Sequence, residues 1–348
     1  MTAPGALVTI AGIDTRRQRT TIADVAKRAG VSTSSVSRHL KGLPVNGSAA
    51  IAAAMRELDY RPSALARSLK SGRTNTIGLV VPDVTNPFFA GVVKGAESVA
   101  HGTGYNLVLC NTDESSDREH DVMSTIRDRV DGLLLAPARD DAETSDSLAA
   151  LGVPVVLVDR TLPDPGEADA VLIDNVGGSA AAAQLLIEEG HRRIAFVSGP
   201  IDTTPGAERH AGFISECEAA GVEVVIEIAD FKERGGYQAA MRLFAGADPP
   251  TAAFAANNLM TIGTLRALRD LGLAVPRSVS VVGFDDHLFA DLIDPPLTVV
   301  DRDMENQGAV AMRMLLARLS GDVTGPGRTV RLDTRLIRRS STVEQVAS

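Results

Sequence analysis

Eight short apolar runs, each followed by a segment long enough for a helix, constrain this chain more than any other feature. TIGLVVPD, YNLVLCNTD, DGLLLAPA and PVVLVDR come first; IAFVSGP, VEVVIEIAD, TAAFAANN and VSVVGFDD follow. Runs that are apolar without alternation predict strands covered on both faces, and helix-length connections predict parallel pairing through crossovers. The fold class that satisfies both is α/β, with doubly wound parallel sheets. Two sets of runs, with breaks near Ile173-Asp174 and Val300-Asp301, predict two lobes joined by crossing strands. At 348 residues and 44% hydrophobic content, the chain can bury two such lobes and carry a small extra module.

The N-terminal part has a different character. Residues 1–74 hold 12 Lys+Arg against 4 Asp+Glu, a net of +8, whereas the remainder holds 23 against 40, a net of −17. A basic head on an acidic body is the charge distribution of a nucleic-acid-binding module, which the overall −9 conceals. Within the head, the segment Thr20–Leu40 reads TTIADVAKRAGVSTSSVSRHL. Thr21 is placed to cap a first helix with Asp24 near its positive end, and Ile22, Val25, Ala26 and Ala29 share one face. Gly30 ends that helix. Ser32 can cap a second, in which Val36 and Leu40 point inward while Thr33, Ser34, Ser37 and Arg38 point outward. Two helices joined so tightly predict a helix-turn-helix, the second helix being the one that reads a major groove.

Other function classes lack their signatures. No apolar run approaches the ~18 residues of a membrane span. Ala6–Ile13 has neither a basic residue before it nor a cleavage site after it, and Arg16-Arg17 is not followed by an apolar core. A disordered N-terminal arm, 1–19, and a cytoplasmic protein with no membrane partner are therefore expected. Cys110 and Cys217 cannot build a disulfide framework and are expected to be inert thiols. Asp285-Asp286 with Asp159, or Ser198-Gly199, lacks the spacing of a glycosidase pair or a G-x-S-x-G elbow. There is no H-E-x-x-H, Cys/His cluster or P-loop lysine, so no catalytic residue, metal ligand or cofactor is expected.

TIADVAKRAGVSTSSVSR, taken with ELDYRPSALARSLKSGRTNTIGLVVPD from Glu57 to Asp83, resembles the lactose-repressor-like (LacI/GalR) family of bacterial transcription regulators, and the similarity runs from about residue 20 to 340. The resemblance implies a periplasmic-binding-protein-like core and a helix-turn-helix head over 20–61. It also implies a hinge helix and linker over 62–74 and an effector-binding and dimerisation core over 75–340. Lobe one would span about 75–173 plus 301–328, and lobe two about 174–300 plus 329–340. Function would be that of a repressor which binds pseudo-palindromic operator DNA as a homodimer under the control of a small-molecule effector. The chain departs from the family at LPVNGSAAIAAAMRELDY, where the third head helix is shorter and alanine-rich, which puts its phosphate contacts in question.

In open α/β sheets, ligands bind beyond the carboxyl ends of the strands. Asp159, Asn257 and Asp285 end strand-like runs, and Arg209 follows IAFVSGP; the resemblance places all four at effector-contacting positions. It also matches Phe231 to an aromatic that packs on the ligand, while Phe88 and Phe89 lie at the mouth of the first lobe. Carboxylates, an amide and a guanidinium suit adjacent hydroxyls, and an aromatic face suits a sugar ring. The plainer alternatives are that an Asp after a strand caps a helix and that a Phe is core. A sugar or sugar derivative is the expected effector. A purine-like corepressor is the alternative, with a solute-binding protein or a sugar-processing enzyme further off.

Pro62–Gly72, PSALARSLKSG, is expected to fold as a hinge helix when two copies meet on DNA, with Leu69 a minor-groove wedge and Lys70 near phosphate. The apolar patch AVAMRMLLARL, Ala309–Leu319, fits either a dimer interface or a helix packed on its own lobe.

Overall fold

The computed structural model describes residues 20–60 and 73–345, which fall into two compact units divided between Thr74 and Asn75. In the first, three helices form around their caps. Helix α1, Ile22–Ala29, opens on a capping box: Thr21 Oγ1 accepts from Asp24 N at 3.3 Å while Thr21 N donates to the Asp24 carboxylate at 2.8 Å. Gly30 closes it at φ 67°, a left-handed position that glycine occupies without strain. Helix α2, Thr33–Leu40, starts at Ser32, whose Oγ accepts from Ser35 N at 3.1 Å. Helix α3, Ser48–Glu57, begins at Gly47 with no side-chain cap. Val25, Ala26, Val36, Ile51 and Ala54 are buried together as the core of this unit.

The second unit contains two six-stranded sheets. The first has the order β11-β5-β4-β3-β1-β2, from β1 Thr76–Val81, β2 Asn106–Asn111, β3 Gly132–Leu135, β4 Val155–Val158, β5 Asp169–Ile173 and β11 Thr329–Leu332. The second has the order β12-β10-β9-β8-β6-β7, from β6 Arg193–Ser198, β7 Glu223–Ile228, β8 Ala252–Ala255, β9 Ser280–Phe284, β10 Thr298–Arg302 and β12 Thr334–Ile337. Every pairing is parallel except that of β12 with β10. Central strands such as β3, β4 and β8 are buried along their whole length, as the unbroken apolar runs require. Strands β5, β10, β11 and β12 add to the eight runs read from sequence. In β11 and β12 arginines interrupt the apolar pattern, because these strands lie at sheet edges.

The chain crosses between sheets three times: after Ile173, after Arg302 and after Leu332. β11 still belongs to the first sheet, so the last crossing falls at Asp333, four residues beyond the expected start of lobe two's second segment at 329. Helix α4, Pro87–Thr103, and the helix Met304–Ser320 pack face to face on the first sheet. A Cβ on Gly95 would come within 1.8 Å of Glu305 O, and one on Gly308 within 2.0 Å of Val92 O. Ala311, Met312, Met314 and Leu315 are buried in that layer. Of the two readings of Ala309–Leu319, packing on its own lobe is therefore the one the fold adopts.

Candidate functional site

Two sites were expected, and the described residues of the first lie in the head. Thr33, Ser34 and Arg38 are exposed on α2, and Ser37 is half-buried. Among the described residues the Arg38 guanidinium makes a 3.3 Å bond to Pro44 O, which leaves most of its donors without a partner there. Ser34 Oγ lies 2.7 Å from Ser32 Oγ, at the helix start. Thr21 is exposed, but its hydroxyl is engaged in the capping box, donating to the Asp24 carboxylate at 2.7 Å. The expected hinge, Pro62–Gly72 with Leu69 and Lys70, and the arm 1–19 lie outside the described residues.

The second site lies where the strands of the two sheets end. Asp159 follows β4 and Asp285 follows β9; both are buried, and both take left-handed backbone, at φ 67° and 73°. Aspartate tolerates this region better than most residues. Each continues the sheet ladder before turning, Asp159 N donating to Val171 O at 3.0 Å and Asp285 N to Val300 O at 2.8 Å. The two carboxylates are thus delivered by equivalent positions in the two lobes.

Between them lies Arg302, the last residue of β10, which sequence reading did not single out. Its Nε donates to Asp285 Oδ1 at 2.6 Å and its Nη1 to Asp159 Oδ1, and its guanidinium stacks 3.5 Å above the centre of the Phe88 ring. It is 5% exposed. Its only signal in the sequence was a charged residue at the end of an apolar run, beside the break at Val300-Asp301. Arg160 was also missed. It is buried next to Asp159, donates to both oxygens of Glu114 at 2.9 Å, and holds Pro137 O and Ala138 O at 2.8 Å.

Arg209 is 1% exposed on the helix Thr204–Ala219. Its Nε donates to Asn175 Oδ1 at 2.8 Å, its Nη1 to Ala256 O at 2.6 Å, and it stacks 3.6 Å from the Phe284 ring centre. Its Nη2 has no partner among the described residues, nor does the second oxygen of Asp285. Burial, reinforced by the neighbouring Arg302, pulls Arg209 down to about 10. Burial would raise the Asp159 carboxyl, but Arg302, Arg209 and Arg160 together hold it below its usual range.

The other expected residues divide. Phe88 joins the cluster under Arg302, whereas Phe89 packs edge-on against it, 4.7 Å between centroids, within the first lobe's core. Asn257 serves the fold itself. Its Oδ1 caps the helix Asn258–Asp270 through Met260 N at 2.8 Å, and its Nδ2 donates to Phe231 O at 2.8 Å. That second bond supports Phe231 in left-handed backbone, φ 62°, with its ring against Gly199, where a Cβ would approach to 2.2 Å. The lobes also touch directly. Thr204 N and Oγ1 donate to Asp140, Lys232 pairs with Asp113 at 3.1 Å, and Asn258 donates to Asn86 at 2.9 Å.

Buried charges thus converge from both lobes, in a chain that also carries a helix-turn-helix unit. The family profile "Bacterial regulatory proteins, lacI family" matches residues 21–63, and "Periplasmic binding protein-like domain" matches 183–342. The chain is 36% identical to the ribose operon repressor of Escherichia coli K12 over 86% of its own length and 93% of the relative's. It is 34% identical to the HTH-type transcriptional repressor PurR of Serratia proteamaculans, over 93% and 97%. Among solved structures, a Lac repressor dimer bound to operator and the anti-inducer ONPF superposes with a TM-score of 0.82 at 26% identity, covering 93% of this chain and 99% of that one. A complex of the regulator CelR with cellobiose does so with 0.71 at 35%, covering 93% and 100%. Among the described residues no helix is long and apolar enough to cross a membrane. The chain belongs to the lacI family of bacterial regulatory proteins, and it is a DNA-binding transcriptional regulator rather than an enzyme.

Proposed function

We propose that this protein is a cytoplasmic repressor that binds operator DNA as a homodimer and is switched by a small polyhydroxylated effector held between its lobes. The observation that carries the effector class is the pair of buried polar atoms without partners among the described residues, Nη2 of Arg209, whose guanidinium stacks on Phe284, and the second oxygen of the adjacent Asp285. A hydroxyl is the simplest group that accepts from one and donates to the other. Asp159 completes the polar set through Arg302, with Phe88 beneath. Asn257 fixes the Phe231 backbone, and Phe89 supports Phe88.

A purine-like corepressor would need an aromatic face to stack on, and Arg302 covers that of Phe88 at 3.5 Å. The hydroxylated ligand is therefore the stronger reading. In the head, we assign base readout to Arg38 with Thr33, Ser34 and Ser37, and a backbone-positioning role to the Thr21 end of α1. A second copy would cover Leu288 and Leu292, which are 85% and 77% exposed, together with Phe289.

The test is a thermal-shift screen of the full chain against D-ribose, cellobiose and hypoxanthine, followed by operator gel shifts with any ligand that stabilises it. A shift with a sugar, accompanied by a change in operator affinity, is expected. Stabilisation by hypoxanthine alone would replace the sugar reading with the purine one. Sedimentation showing only monomers at micromolar concentration would remove the dimer.

A further inference from the structure

We propose that Arg302 is the specificity-determining residue of the cleft: an internal guanidinium that bridges the lobes and, by neutralising Asp159 and Asp285, restricts the effector to an uncharged polyol. The effector half of this inference rests on the function proposed above; the bridge does not.

Position is the first ground. Arg302 ends β10 in the second sheet, Asp303 caps the next helix through Asn306 N at 2.9 Å, and that helix packs on the first sheet. Arg302 is thus the last residue of lobe two before one of the three crossings. The second ground is its set of contacts. It reaches lobe one through Asp159 and Phe88 and lobe two through Asp285, so one planar group holds a carboxylate from each side. Lysine could not reproduce this, since a point charge has no fork to share between two acceptors.

Charge is the third ground. Arg160 is matched by its two bonds to Glu114, and Arg209 with Arg302 balances Asp159 with Asp285. Two guanidiniums and two carboxylates sum to zero, so an ionic effector of either sign would lose its water in the cleft without meeting a net opposite charge. A neutral hydroxyl avoids that cost and satisfies the unpartnered atoms of Arg209 and Asp285. Removing Arg302 would take away the one group bonded to both carboxylates, leaving Arg209 and Arg160 to offset them through space and the lobes without this link.

The test uses the full chain and the variants Arg302→Gln, Arg302→Ala and Arg302→Lys. Without any ligand, hydrogen exchange is followed in peptides covering 137–141, 159–162 and 202–206, which contain the Asp140–Thr204 contact between lobes. Arg302→Gln should exchange there about tenfold faster or more, a factor that corresponds to about 1.4 kcal/mol. Ethylguanidinium should restore slow exchange to Arg302→Ala and leave the wild type unchanged. Unaltered exchange in a folded Arg302→Gln protein would overturn the bridge. Should the Gln and Ala variants fail to fold, Arg302→Lys keeps the charge without the fork, and exchange in it equal to wild type would do the same. For the effector, D-ribose and D-ribose 5-phosphate are compared by titration. Tighter binding of the phosphate to the wild type would overturn the charge restriction. If no sugar binds but the exchange difference is present, the effector reading fails while the bridge stands.

Discussion

The arginine of the recognition helix and the arginines of the cleft are the same side chain in opposite circumstances. Arg38 is exposed and, among the described residues, holds one 3.3 Å bond, so its other donors are available to a base edge. Arg209 and Arg302 are 1% and 5% exposed and are engaged by carboxylates, carbonyls and aromatic faces of their own chain. These circumstances set where substitution should be felt. In the head a lost arginine removes a contact to a partner and leaves the fold alone. In the cleft it strands a buried opposite charge, which costs far more than an exposed pair is worth.

Asp285→Ala probes that contrast hardest. It leaves Arg302 with a single carboxylate and should destabilise the core by about 3–5 kcal/mol in urea unfolding, with the effector response lost. Arg209→Ala should abolish the same response while operator binding persists. A core as stable as the wild type in Asp285→Ala would show that the cleft arginines do not depend on their partners. Next in size is Arg38→Ala, which should weaken operator binding by up to about 3 kcal/mol relative to random DNA, with no change in melting temperature. Equal losses on both DNAs would turn Arg38 into a phosphate contact.

A titration separates the regions further. Glu119 is buried, accepts from Ala138 N at 2.7 Å, and is pushed by burial up to about 7 from its ordinary 4.5. Folded protein therefore keeps this proton where the unfolded chain has released it, so the group's contribution to stability falls as pH rises through that window. Glu119→Gln should gain about 2 kcal/mol over wild type at pH 8 and nothing near pH 4. A constant difference across pH would exclude the carboxyl as the source. The smallest effect expected is that of Thr21→Ala, about 1 kcal/mol, confined to unfolding of the head. Weakened operator binding without that loss would make Thr21 a DNA contact rather than a cap.

Much of the head was legible because its signals are local. Thr21 with Asp24, Gly30 and Ser32 lie within a few residues of the groups they satisfy, and the helices form where those residues place them. Interior strands such as β3, β4 and β8 were legible for a related reason, since a strand covered on both faces must be apolar throughout and that needs no partner to be recognised, whereas β5 and β10, with Asp169, Asp301 and Arg302 in them, were not among the runs read. Edge strands β11 and β12 were not, since TVRL and TRLI alternate with arginine and resemble a solvated tail. The site was read in part. Asp159, Asp285 and Phe88 gather around Arg302 with Arg209 close by, while the bonds of Asn257 go to the Phe231 backbone and a helix start.

The amino-acid order was thus enough to establish the two-part organisation, the helix-turn-helix with its outward face, the parallel sheets and the strand-end positions of the acids. It took the assembled fold to put Arg302 between Asp159 and Asp285, to give Arg160 to Glu114, and to bury Ala309–Leu319 rather than leave it to be shared. The reason is range. Capping and strand burial act within one element, whereas the cleft joins groups from residue 88 to residue 302, whose charges acquire partners only after both sheets have closed around them.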